Sequence, residues 1–292
     1  MARLVEVKDR VRDRLTIMGS GRTFVRILAA LVLLVVLYFV VGAIWIHRID
    51  DDTSFTPPDP IAGGSRAVDM AAALLEREVD VHRWTPNDPF FLPGSILDNM
   101  PNFQLGMVYG LSRFGTALAE QLARSRGTSA IDPDVDRAAG LLRYPGDVWM
   151  FNLSTSLAPT ASSESQYRAA IRALRAYNQR VADGTAVFDR RADNLIDALE
   201  RLNNDLGSSS GIISEHLQLH AGFPISFSAD DIFYQTKGRL YVYYMLLTAL
   251  GEDFKEVVAD RNLGTVWNQM LESGREAAEQ QPWVVLNGGV SS

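Results

Sequence analysis

Two histidines four residues apart, His216 and His220, lie in the segment Ser214-Glu215-His216-Leu217-Gln218-Leu219-His220. On a helix this spacing puts both imidazoles on one face, where they can hold a metal ion such as zinc. A catalytic zinc site also needs a third ligand and an open position for water. Glu215 points roughly 100° away from His216, and the zinc-peptidase order, with Glu directly after the first His, is absent. The chain has four His, so a third ligand would be His82 or a carboxylate. Surface or capping roles suit the pair better than a hydrolytic zinc centre.

Three further stretches resemble reactive motifs without completing them. Gly207-Ser-Ser-Ser-Gly211 matches G-x-S-x-G with Ser209 as nucleophile, but that elbow needs a strand before it and a helix after. A long helical pattern precedes it here, and the text reads as a flexible connector. Asp132-Pro133-Asp134-Val135-Asp136 begins like a calcium loop, yet Arg137 and Arg143 stand where the Gly and the bidentate Glu belong. Asp132 as helix N-cap with Pro133 behind it is the better reading. Gly19-Ser-Gly-Arg-Thr23 lacks the upstream Gly and the Lys of a phosphate loop and reads as a hinge. The chain contains no cysteine, which removes disulfides, thiolate chemistry and Cys-ligated metals. No catalytic residue and no cofactor is expected, with zinc on His216 and His220 as the alternative.

The element that organises the chain is Ile27–Ile46, twenty residues without a charge. As a helix it spans about 30 Å, the hydrocarbon thickness of a bilayer. Ile27 and Ile46 bound it, and Tyr38 and Trp45 supply aromatic anchoring. The run is longer than a signal peptide's apolar region and ends in bulky residues, so an uncleaved anchor is expected. Residues 1–26 carry a net charge of +4 and residues 47–292 one of −11, against −7 for the whole chain. The Lys/Arg asymmetry places the N-terminus in the cytoplasm and the large C-terminal part in the periplasm of a Gram-negative bacterium, at its inner membrane. The acidic exterior argues against nucleic acid as a partner.

Residues 2–18 have helical apolar spacing with basic faces, either a surface helix on the anionic leaflet or a solvated lead-in. Residues 47–64, with Pro57, Pro58, Pro60, Gly63 and Gly64, read as an extended linker lifting residues 65–292 off the membrane. Ser65 caps the first helix of that domain. Next comes Trp84 to Gln104, irregular through its four prolines yet apolar. Trp84, Phe90, Phe91 and Phe103 in it must pack either on the domain's own core or on a partner. Gly106, Gly110 and Gly115 allow close approach of a neighbouring helix. Residues 162–206 carry an a/d heptad seam from Tyr167 to Leu206, interrupted at Gly184. It is a coiled coil with a second copy, or a long helix or hairpin inside a bundle. Ser228 to Gly251 reads as a Tyr-rich central helix, and Pro282 to Leu286 as an apolar tail that docks on the body. The fold class is all-α: one transmembrane helix, then a mainly helical periplasmic bundle.

The text WTPNDPFFLPGSILDNMPNFQLGMVYGLSRF, Trp84 to Phe114, after one membrane anchor, resembles a bacterial inner-membrane family known only as a domain of unknown function, the family numbered 2333. The resemblance implies a proteobacterial single-pass protein and brings no catalytic residue. The expected function is a membrane-tethered scaffold or interaction module. It would work against the lipid bilayer on an envelope protein or a second copy. The alternatives are a metal-dependent envelope hydrolase and an apolar-ligand sensor enclosed by the tyrosines and the Phe90/Phe91 loop.

Overall fold

A computed structural model describes residues 21–125, 132–151, 158–219, 227–282 and 285. The stretch 2–18, Gly19, Ser20, His220 and most of the tail after Pro282 lie outside the described residues. Among the described residues the chain forms nine α-helices and no strand, as the sequence pattern demands. α1 (Gly21–Ile46) contains a 24-residue stretch, Thr23–Ile46, that is long and apolar enough to cross a membrane. None of its most apolar window is buried in the body, unlike a core helix of the same composition.

The core is built around α2 (Arg66–Glu76), whose residues from Ala67 to Leu75 are all buried. Ser65 caps it as expected, its Oγ accepting from Val68 N. The Asp253 carboxylate reinforces this end by accepting from Arg66 N, Ala67 N and Ser65 Oγ. At its other end α2 widens into a π turn, Arg77–Val81. α3 (Asn99–Ser125) and α7 (Phe227–Asp253) pack against each other along the most extensive contact between described helices. They cross at Gly106 and Gly238: a Cβ on Gly106 would lie 2.1 Å from Gln235 O, and one on Gly238 2.2 Å from Phe103 O. α4 (Pro133–Leu142) packs on α3, with Leu142 and Ala139 against Gly115. α5 (Ser163–Ala182) packs on α4 and α2. α6 (Ala192–Leu219) lies against α7 and α3, and α8 (Lys255–Asp260) and α9 (Gly264–Ala278) return along α7.

The heptad seam is interrupted at Gly184, as expected: the loop 183–191, where Gly184 takes a left-handed φ of 73°, divides it between α5 and α6. Tyr167, Ile171, Leu174 and Asn178 of that seam are buried in the body, so they are not presented to a second copy. The Gly207–Gly211 connector is instead helical, in the middle of α6. Burial of Ser209 against Arg239 of α7, its Oγ donating to Asp205 O, overrides the weak helix propensity of Gly and Ser. α7 runs through Gly251 to Asp253, because the missing Cβ at Gly251 makes room for the Trp267 indole 2.7 Å from where it would stand.

These two kinds of glycine separate in a stability test. Gly238→Ala drives a methyl into the Phe103 carbonyl and is expected to cost about 1–3 kcal/mol. Gly211→Ala meets nothing within 4 Å and is expected to add about 0.5–1 kcal/mol. Thermal unfolding of the detergent-solubilised chain, followed by circular dichroism, measures both; equal effects would contradict the crossing.

Candidate functional site

The polar and aromatic groups that stand out gather at the end of the body where α1 enters. There the chain does not run free after Ile46. Arg48 N donates to Met100 Sδ, and Asp50 turns into the body, so residues 48–55 form a strap rather than the expected spacer. The strap is fastened by Arg77, on the π turn of α2. Its Nη2 donates to Asp50 O at 2.8 Å and its Nη1 to Tyr241 Oη at 2.8 Å. Nη1 also lies 3.3 Å from Asp50 Oδ1, and Nε 3.1 Å from Glu78 Oε1. The guanidinium lies 4.8 Å from the centre of the Phe55 ring. Burial alone would weaken its hold on the proton, but the charges of Glu78, Tyr241 and Asp50 outweigh that and its pKa is raised. Tyr241 Oη donates in turn to Asp52 O at 2.8 Å, and burial pushes this phenol up.

The remaining carboxylate oxygens are also spoken for. His82 bridges Glu78 Oε1 and Asp50 Oδ2, each at 3.2 Å. Gln104 donates to Glu78 Oε2 at 3.2 Å and to Arg83 O at 2.9 Å. Its Oε1 accepts from Thr85 N and Oγ1. A second buried cation fastens the strap from the other side: Lys237 Nζ donates to Asp51 Oδ2 at 2.6 Å and to the Ala278 and Gln280 carbonyls. Two residues past the π turn, the non-glycine Arg83 takes a left-handed φ of 68°, so backbone strain is concentrated at this knot. Chemically the array is a clamp: His82, Arg77 and Glu78 are engaged on all sides, and none is poised to attack a substrate. Sequence reading passed over Arg77, Glu78, Gln104 and Lys237. The available signal was Glu78 and His82 at i and i+4, the same spacing that drew notice to His216 and His220.

The four aromatic residues of the Pro/Phe-rich stretch divide into two pairs. Trp84 and Phe103 are core residues, 2% and 0% exposed, and so are not interaction-surface residues. Trp84 donates to Gly146 O and meets Tyr167 edge-on, and Phe103 lies against Tyr241. They pin both ends of a projecting segment in which Phe90 is 85% and Phe91 46% exposed. The tip contains a 3₁₀ turn, Pro93–Ile96, that packs directly on α1. A Cβ at Gly42 would lie 2.5 Å from Pro93 Cγ, and Tyr38 Oη donates to Phe91 O at 3.3 Å.

The motif candidates resolve individually. Ser209 is buried within α6, its hydroxyl used by Asp205 O and Arg239, so no nucleophile elbow forms. Asp132 caps α4 through Asp134 N, and Arg180 occupies the Asp132 and Asp134 carboxylates, a structural knot in place of a calcium loop. Burial would raise the Asp132 carboxyl, but Arg180 brings it below the usual range. His216 sits beside an apolar groove of about 250 Å³ with Ile213, Leu217, Ile232 and Phe233; its companion His220 is outside the described residues. Among the described residues no group of three or more His, Cys, Asp or Glu is arranged to hold a metal ion. Tyr241 is spent on the clamp. Tyr243 donates to Asp205, which also accepts from Tyr109 at 2.9 Å.

At the N-termini of α3 and α7, Asp231 hydrogen-bonds Asp98 with Asp230 close by. Burial, that bond and the two neighbouring charges push the Asp231 carboxyl up, against a hydrogen bond from Asn102. The folded chain therefore keeps a proton that the unfolded chain releases near pH 4. This group's contribution to stability is greatest below that pH and falls as pH rises through the raised folded value. Asp231→Asn is expected to raise the melting temperature at about pH 8 and to leave it unchanged near pH 4. Thermal unfolding across pH measures this, and a variant less stable than its parent at the higher pH would contradict it.

No curated protein and no solved structure matches the chain. The model of a family described as "Uncharacterized protein conserved in bacteria (DUF2333)" matches residues 20–221. That span holds α1, the strap, the π turn, the projecting turn and α2 to α6, and the chain belongs to this bacterial family.

Proposed function

We propose that this chain is a single-pass inner-membrane protein whose helical body stands in the periplasm as a non-enzymatic scaffold or interaction module. The basic flank before Ile27 and the acidic body after Ile46 support that orientation. The observation that carries the scaffold reading is the clamp. Arg77 and Lys237 fasten residues 50–55 to α2, α7 and the end of α9, so the chain is tied to the body within four residues of α1. A catalytic domain gains little from such a joint, whereas a module that presents a surface at a set distance from the bilayer depends on it.

The surface best suited to a protein partner is an apolar groove away from the strap residues. This groove of about 460 Å³ runs between the start of α6 and the α8–α9 pair, with Ile196, Leu263 and Val266 exposed along it and Trp267 at its base. Apolar side chains presented together in this way mark interaction sites. Photo-crosslinkers placed at Ile196 and at Val266 of the full chain, in cells, are expected to capture one and the same envelope protein. The adduct from Val266 is expected to vanish when Ile196→Asp is added. Capture of the chain alone would make self-association its role, and absence of any discrete adduct from both positions would overturn the interaction reading.

A further inference from the structure

We propose that the turn Phe90–Ile96, with Trp149–Phe151 beside it, is a second membrane contact, immersed among the acyl chains of the leaflet on the body's side. This rests on the reading of α1 as a membrane span. Pro93 seats on Gly42 and the Phe91 carbonyl on the Tyr38 hydroxyl. Gly42 lies four residues and Tyr38 eight residues before Ile46, about 6 and 12 Å back along the helix. Half of the hydrocarbon core is about 15 Å. A turn that touches α1 at those levels lies inside the apolar half-thickness when the run ends at Ile46.

Composition agrees with that position, and part of the turn's backbone is paired within it. From Pro89 to Leu97 no side chain carries a charge. The charge at the near edge, Asp88, is paired with Arg83 and tucked over Gly94. Phe90, Phe91, Ile96, Met150 and Phe151 are all exposed. The rings join edge to face in a row, Phe90 on Phe91, Phe91 on Trp149, Trp149 on Phe151. In hydrocarbon, unpaired backbone groups are costly. Here Leu92 N donates to Pro89 O, Ser95 N to Leu92 O and Leu97 N to Gly94 O, while Pro89 and Pro93 have no N–H to satisfy. The Ser95 hydroxyl returns to Leu92 O. Tyr38, whose hydroxyl would otherwise face acyl chains, finds its acceptor in this turn.

Lipid is the occupant because the turn and α1 share one environment. Around Tyr38 and Val41 the helix is itself exposed, so whatever surrounds the span there also surrounds the turn. The surface is continuous with the span and carries no charge.

The chain has no cysteine, so single substitutions report single positions. Full-length chains carrying Phe90→Cys, Ile96→Cys, Val41→Cys or Val187→Cys, labelled with an environment-sensitive fluorophore, are reconstituted into phosphatidylethanolamine–phosphatidylglycerol vesicles. Lipids with a nitroxide near the top of the acyl chain serve as quencher. Positions 90 and 96 are expected to emit blue-shifted and to lose intensity to the nitroxide as position 41 does. Position 187, between α5 and α6, is expected to do neither. Quenching at 41 with none at 90 and 96 would overturn the second contact while leaving the span intact. No quenching at 41 would overturn the span itself. A blue shift at 90 and 96 without lipid quenching would mean that protein covers the turn, and would overturn the proposal.

Discussion

The burial of one guanidinium, that of Arg77, determines how the body meets the apolar helix. An ion of this size leaves water at a cost of several kcal/mol unless its partners are well placed. Arg77 has the Asp50 carbonyl and carboxylate, Glu78 and Tyr241 as partners, and the Phe55 ring over its face. Those partners come from the strap, from α2 and from α7, so the requirement to compensate one charge draws three parts of the chain together. Removing one partner of such a buried group costs about 3–5 kcal/mol, because the other charges are then left unpaired. Lys237 repeats the logic on the strap's other side, with Asp51 and two carbonyls at the end of α9.

A second constraint, close backbone packing, sets where the projecting turn stands. Gly106 and Gly238 let α3 and α7 approach until carbonyls occupy the space of a missing Cβ. This crossing sets the start of α3, and the turn Pro93–Ile96 lies immediately before it. With Trp84 and Phe103 anchored in the core, the residues between them have one place to go, alongside α1 at Gly42. The clamp thus sets the direction of the apolar helix, and the helix crossing sets the turn that rests on it.

Local features were legible in the sequence where one residue type has one physical use. The uninterrupted apolar run from Ile27, the Ser65 cap, Asp132 with Pro133 as the start of a helix, and the glycines spaced along α3 all appear as read. Features that depend on distant partners were not legible. Pro57, Pro58 and Pro60 correctly deny a helix, but nothing local reveals that the acidic residues just before them answer to Arg77 and Lys237. Gly207 to Gly211 reads as a linker until Arg239 of α7 and Tyr243 are known to face Ser209 and Asp205. The seam from Tyr167 to Leu206 shows its break at Gly184, but not that its first half is buried in the body. Trp84 and Phe90 look alike as text; their fates, core and surface, are decided by the rest of the fold.

The central claim is that the body and α1 form one rigid unit through the clamp. The most direct measurement is a pulsed dipolar distance distribution between spin labels at Ile44→Cys on α1 and Val187→Cys on the body, in the full chain in nanodiscs. A single narrow distribution is expected, as narrow as that of two labels both placed on the body, and it is expected to broaden when Arg77→Met is added. A broad distribution in the unaltered clamp, or one indifferent to Arg77, would contradict the account.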